Sequence, residues 1–306
     1  MSFAIILPFL KPIQHLLTSE TVSEIMVNPD SSVWIEEAGV IQLLPGTRFA
    51  DGALLTALEV IANKFGKKLN AGSPILNLRL PDGSRMAALI PPVVHPAPLL
   101  TIRKFTSRNF TMSDLVERGM LTADQATRLA ASVRCGDNLL ISGGTSSGKT
   151  TLLNVLADCI PAEERILILE DTAELHIRKP HVVCAEAQLD THKAQIGFGD
   201  LLKASLRHRP DRIVVGEIRG AEARIFLDAL HTGHRGSLST IHANSAIDAI
   251  SRLAALALRG QATGDLAATR AEAERSLDCI VQLTRDGGVR RVAEIRPLRH
   301  ASDIAI

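Results

Sequence analysis

Gly143-Gly144-Thr145-Ser146-Ser147-Gly148-Lys149-Thr150 fits the pattern G-x-x-x-x-G-K-[ST], and its residue types answer the demands of a polyphosphate. Gly143 and Gly148 let the backbone curl so that several N–H groups point inward. Lys149 brings a compact positive charge to the β/γ-phosphates, and the Thr150 hydroxyl can ligate Mg²⁺. Thr145, Ser146, Ser147 and Thr151 complete the residues expected around the nucleotide. Positioning them requires a strand, a glycine loop and a helix in succession. The apolar run Asn138–Ser142 supplies the strand, and Lys149–Ala157 supplies the helix.

Two acidic strand ends follow. Glu170-Asp171-Thr172-Ala173-Glu174 comes directly after the apolar run Arg165–Leu169. In open α/β sheets ligands gather at the carboxyl ends of strands, where carboxylates can hold Mg²⁺ through water or polarise an attacking water. Glu170 and Asp171 are therefore candidate Mg²⁺ ligands alongside Thr150. Asp211-Arg212-Ile213-Val214-Val215-Gly216-Glu217 is the second such end. Gly216 stands where a phosphate-loop ATPase usually has an aspartate, and Glu217 after it can act as base or orient the attacking water. His234 and His242 flank the apolar strand Leu238–Ile241 and could report phosphate state through hydrogen bonds or protonation. A lone histidine in such a domain is more often a satisfied core group, and no third ligand at sensible spacing suggests a metal centre.

The elements around these residues divide the chain. Up to residue 105 the pattern is mixed and strand-rich: β-prone runs at Glu24–Val27, Ser32–Glu36, Leu76–Leu80, Arg85–Ile90 and Leu99–Phe105, and helical spacing over Gly52–Lys64. This reads as an α+β domain, 1–105. Residues 106–121 read as a linker containing a short helix, Ser113–Arg118. From 122 to 306 helices alternate with apolar strands, which argues a parallel α/β sheet covered on both faces. The tail, Cys279–Thr284 and Val289–Ile295 around Asp286-Gly287-Gly288, reads as an antiparallel hairpin.

Composition excludes several classes. The chain has 306 residues, 46% of them hydrophobic, and a formal net charge of +1, so it is globular and without a broad nucleic-acid footprint. Cys135, Cys159, Cys184 and Cys279 are scattered, which fits buried thiols in a reducing cytoplasm. Phe3–Leu10 is apolar but short and broken by Pro8, and is expected to pack as an N-terminal element rather than to anchor the chain.

Taken in order, these blocks resemble the type II/IV secretion-system traffic ATPases, especially those of conjugation and of Tad/Flp-pilus assembly. The resemblance rests on the phosphate loop, the acidic box, Leu206-Arg207-His208-Arg209-Pro210-Asp211 through Arg219, and Thr232-Gly233-His234 through Asn244. In the N-terminal half it rests on Ser23–Asn28, Leu80-Pro81-Asp82-Gly83-Ser84-Arg85 and Leu100–Phe105. It implies a RecA-like phosphate-loop domain preceded by a smaller α+β domain, with ATP and Mg²⁺ as ligands. Glu217 would be the catalytic glutamate, Glu174 the acidic-box glutamate, and His234 and His242 the paired histidines. Arg85 and Arg103 would be arginines that the first domain brings to the γ-phosphate. It also implies a homo-hexamer, cytoplasmic and peripheral at the inner membrane, docked on membrane components of a secretion or pilus machine and touching the membrane only through them. No direct nucleic-acid contact is expected. The zinc-binding tetracysteine segment of the type II secretion branch is absent. The alternative, a RecA-type nucleic-acid-translocating ATPase, calls for a basic or aromatic face, and the chain has one tryptophan, Trp34, and no tyrosine. A small-molecule kinase would leave the histidine box and N-terminal arginines without a purpose, and no N-K-x-D sequence marks a GTPase.

Overall fold

The computed structural model describes residues 6–37, 39–105, 110–171, 173–187, 196–259 and 263–298. The chain forms two compact units, Met1–Arg108 and Asn109–Ile306.

In the first unit two 3₁₀ turns, Leu7–Phe9 and Lys11–Ile13, lead into α1 (Gln14–Thr18). Strands β1 (Val22–Val27), β2 (Val33–Glu37) and β3 (Val40–Leu43) follow, then α2 (Ala53–Lys64) and strands β4 (Ile75–Arg79), β5 (Arg85–Leu89) and β6 (Leu99–Arg103). All six strands pair antiparallel in the order β3-β2-β1-β6-β5-β4. Alternation decides the faces. Ile25, Val27, Ile35, Leu76, Leu78, Met86, Ala88, Leu100 and Ile102 are buried with Leu58 and Ile61 of α2 and with Ile13, Leu16 and Leu17. Ile6 and Leu10 are fully buried in the same core, so the described part of the N-terminal apolar run packs as expected; residues 3–5 lie outside the described residues. On the opposite face the register lines up one row, Arg79, Arg85, Arg103, Glu24 and Glu36.

The second unit begins with α3 (Met112–Glu117) and α4 (Ala123–Arg134). Thr122 caps α4: its hydroxyl accepts the Gln125 N–H at 3.2 Å, and Gln125 Oε1 accepts the Thr122 N–H at 2.9 Å. Then come β7 (Leu139–Gly143), α5 (Lys149–Ala157), β8 (Ile166–Glu170), β9 (Val182–Glu186), α6 (Phe198–Ser205) and β10 (Arg212–Ile218). The unit ends with α7 (Glu222–His231), β11 (Leu238–Ile241), α8 (Ala246–Leu258), α9 (Leu266–Ser276), β12 (Cys279–Asp286) and β13 (Val289–Pro297). The sheet order is β13-β12-β7-β11-β10-β8-β9, parallel except for β13. Leu139, Ile141, Ile166, Ile168, Val214 and Val281 pack on one side with α4 and α5. Leu140, Leu169, Ile213, Val215, Ile241 and Ile280 pack on the other with α6, α7 and α8. This is the α/β sheet the sequence implies, a doubly covered one.

Several expectations are revised. Of the expected linker 106–121, Leu115, Met120 and Leu121 are buried in the second unit's core, because a capped helix buries its apolar face against α4; residues 106–109 lie outside the described residues. The tail is a hairpin, but β12 also runs parallel beside β7. The thiols are not uniformly buried. Cys279 is, whereas Cys135 and Cys184 are exposed, Cys135 at the end of α4 and Cys184 on the edge strand β9.

Candidate nucleotide-binding site

The phosphate loop leaves the carboxyl end of β7, where the sheet order switches. The chain runs from β7 outward to β8 and β9, returns through β10 and β11, and then crosses to β12 on the other side. A crevice forms at such a point. Gly143 fits tightly: a Cβ there would stand 2.6 Å from Ser147 Oγ and 2.8 Å from the Leu283 carbonyl oxygen. Ser146 (φ 57°) and Gly148 (φ 97°) both occupy left-handed backbone, which turns the loop's N–H groups inward. Met120 Cε would lie 2.9 Å, and Arg290 Cδ 3.5 Å, from a Cβ on Gly148, so these two side chains wall the loop.

No side chain caps α5, which leaves its first N–H groups and the positive end of its dipole facing the loop. Lys149 is only 6% exposed. Its Nζ donates to the Gly143 carbonyl at 2.9 Å and to the Gly144 carbonyl at 2.8 Å, and lies 3.4 Å from the His242 ring nitrogens. Burial pushes the Lys149 ammonium below its ordinary range, against the opposing pull of Glu217. A desolvated cation, an uncapped helix start and a left-handed loop form a donor set that suits an anionic phosphate chain.

Glu217 lies on β10, which is separated from β7 by β11. Its carboxylate accepts two hydrogen bonds from one guanidinium, Arg219 Nε at 2.7 Å and Arg219 Nη2 at 3.1 Å, and His242 Nε2 is 3.4 Å from its Oε1. Burial alone would raise this carboxyl; Arg219, then His242 and Lys149, hold it below the ordinary carboxylate value. Burial and the Lys149 charge depress the His242 imidazole, which keeps it neutral near pH 7. Lys149, His242 and Glu217 thus converge from the ends of three strands.

Glu170 is placed differently from expectation. It is 4% exposed, its Oε1 accepts the N–H groups of Glu174 at 2.8 Å and Leu175 at 2.9 Å, and burial pushes its pKa up to about 7. Gly216 makes room for it, since a Cβ there would lie 3.0 Å from Glu170 Cγ. Both backbone hydrogen bonds go to one oxygen of the Glu170 carboxyl. Its structural task is to fold the turn that carries Glu174. Asp171 pairs with Arg219 Nη1 at 3.4 Å. Thr172 lies outside the described residues.

His234 does not join His242. Ser237 Oγ donates to the His234 carbonyl at 2.9 Å, and the Ser237 N–H donates to Asn138 Oδ1 at 3.1 Å, ahead of β7. His234 is therefore at the amino edge of the sheet, with all of β11 (roughly 17 Å from Ser237 to His242 at strand rise) between it and the site. Arg85 and Arg103 belong to the first unit, where they stand directly opposite each other on β5 and β6. Like charges so placed repel, and Glu24 beside Arg103 offsets part of that.

Arg219 is the residue that sequence reading left out of the site. The signal was present: Glu217 and Arg219 are two apart at a strand end, and positions i and i+2 share a face. Met120 and Arg290 carried no such signal, since only the fold brings them to Gly148.

A family described as type II/IV secretion system protein matches residues 9–294. The conjugal transfer protein TrbB of Rhizobium radiobacter is 36% identical over 284 residues, covering 91% of this chain and 84% of the relative. The type IV secretion system protein VirB11 of Bartonella quintana is 31% identical over 329 residues, covering 95% and 92%. Among solved structures, the VirB11 ATPase of the Brucella suis type IV secretion system, in complex with sulphate, is 25% identical with a TM-score of 0.53. That match covers 96% of this chain and 95% of the solved one.

Proposed function

The chain belongs to the type II/IV secretion system protein family, and from that premise we propose how its residues bind and hydrolyse ATP to drive conjugative transfer, secretion or pilus assembly. The carrying observation is the convergence of Lys149, His242 and Glu217, with His242 3.4 Å from each partner. Lys149 and the N–H groups of residues 144–151 hold the phosphate chain. The Thr150 hydroxyl would hold Mg²⁺, which would neutralise negative charge on the phosphates. Glu217 is ionised across the neutral range and orients the attacking water. Its tie to Arg219 makes it a weak proton acceptor, so positioning rather than proton abstraction is its main contribution. Neutral His242 reads the γ-phosphate side through a hydrogen bond, beside both charged partners.

Arg85 and Arg103 from the first unit stabilise charge that develops in transfer, as arginines do in other phosphoryl-transfer enzymes. His234 is left without a catalytic task. The working form is a hexameric ring, peripheral at the inner membrane through its partners; among the described residues no helix is long and apolar enough to cross a membrane. The test is ATP binding and hydrolysis by wild type and Lys149→Ala, with native mass spectrometry for the ring. Loss of both activities in the variant, with the ring retained, is expected. Undiminished hydrolysis by Lys149→Ala would refute the site.

A further inference from the structure

Three buried side-chain oxygens among the described residues lack a hydrogen-bond partner: Ser142 Oγ, Gln282 Oε1 and Thr284 Oγ1. They cluster on β7 and β12, the strands that seat the phosphate loop. Gln282 is opposite Ser142 in register, Ser142 is opposite Ile241 of β11, and Leu283 is opposite Gly143. Gln282 is 4% exposed and Ser142 is fully buried. From β12 the Gln282 amide passes the small Ser142 and reaches the segment leaving β11. Its Nε2 donates to the Ala243 carbonyl at 3.4 Å and to the Leu283 carbonyl at 3.3 Å. Ala243 adjoins His242, whose ring touches Lys149 and Glu217.

We propose that Gln282 is a positioning residue for ATP hydrolysis, holding the Ala243–Asn244 peptide that directly follows His242 so that the imidazole stays between Lys149 and Glu217. Packing does not account for a glutamine here. A buried amide with an unmatched oxygen costs stability, and an apolar side chain of similar size would avoid that cost. The same amide ties the β12–β13 hairpin to the His242 turn through Leu283, whose carbonyl abuts Gly143. A change in the phosphate loop therefore reaches the histidine through β12 as well as through Lys149.

The inference rests on the role given to His242, so the test separates the two. ATP turnover, KM and thermal midpoint are measured for wild type, Gln282→Leu, Gln282→Glu, His242→Asn and the Gln282→Leu/His242→Asn double variant. Gln282→Leu should lose kcat by about 10-fold, as small misplacements of a reacting group do, with KM for ATP nearly unchanged and no loss of thermal midpoint. Gln282→Glu keeps the shape but has no donor for Ala243, so it should lose kcat similarly. In the His242→Asn background Gln282→Leu should change kcat by less than about two-fold, the non-additivity of residues acting as one unit. An equal loss in both backgrounds, or a Gln282→Leu enzyme with wild-type kcat, would overturn the positioning role alone. A fully active His242→Asn enzyme would overturn both that role and the reading of His242.

Discussion

Replacing Glu170 with glutamine should stabilise the second unit, and by an amount that depends on pH. In the folded chain burial raises the Glu170 pKa from 4.5 to about 7; unfolded, it returns to the ordinary value. Between those two values the folded state holds more protons than the unfolded state, so stability falls as pH rises through that window, and the loss is complete above it. A difference of two to three pKa units, at 1.36 kcal/mol each, amounts to about 3 kcal/mol at pH 8 and almost nothing at pH 4. Glutamine retains a carbonyl oxygen for the Glu174 and Leu175 N–H groups and removes the charge. Thermal melts of wild type and Glu170→Gln across pH 4–8 should therefore coincide at the acid end and separate by about 9 °C at the alkaline end, at 2–4 °C per kcal/mol for a unit of this size. A variant no more stable than wild type at pH 8 would show that the carboxylate is ionised in place, and would refute the desolvation argument.

Gly148→Ala forces an L-residue into φ 97° with its Cβ 2.9 Å from Met120 Cε; a loss of about 1–3 kcal/mol together with lost ATP affinity is expected, read by denaturant titration and nucleotide binding. Arg219→Leu removes the main influence that lowers the Glu217 pKa, so the acid limb of the kcat–pH profile should move to higher pH; an unmoved limb would mean that Glu217 ionisation does not govern turnover. Arg103→Ala should reduce kcat by about 10³-fold, the lower end for arginine fingers, with ADP affinity unchanged. It should change the first unit's stability little, because it removes both the repulsion from Arg85 and the attraction to Glu24 on the neighbouring strands; equal losses of ADP affinity and kcat would place Arg103 elsewhere in the reaction.

The elements that seat the site were legible because local sequence specifies them. The helix Lys149–Ala157 and the strand Leu238–Ile241 have the expected bounds, and the acidic box and Glu217 fall at strand ends. What escaped depends on the fold. β9 is a half-exposed edge strand with no clean alternation. α8 buries Ala246, Ala249, Ile250, Leu253, Ala254 and Ala257 at helical spacing, a period legible in the sequence but not used there. α9 buries only Thr269, Ala273 and Ser276, too few apolar anchors to read. Glu170, a candidate Mg²⁺ ligand, is expected to meet solvent at its strand end; the neighbouring Gly216 lets it turn inward. His234 and His242 are a pair only in the family resemblance, for the strand between them sends them to opposite edges of the sheet.

The most direct test of the nucleotide site is single-turnover ATP hydrolysis by Glu217→Gln beside wild type, with ATP affinity measured on the same preparations. The substituted amide would keep an oxygen for Arg219 but lose the negative charge that orients water, so hydrolysis should fall by about 10²-fold while ATP binding through Lys149 persists. Equal hydrolysis rates in the two proteins would contradict the assignment of Glu217 and, with it, the three-strand convergence on which the function rests.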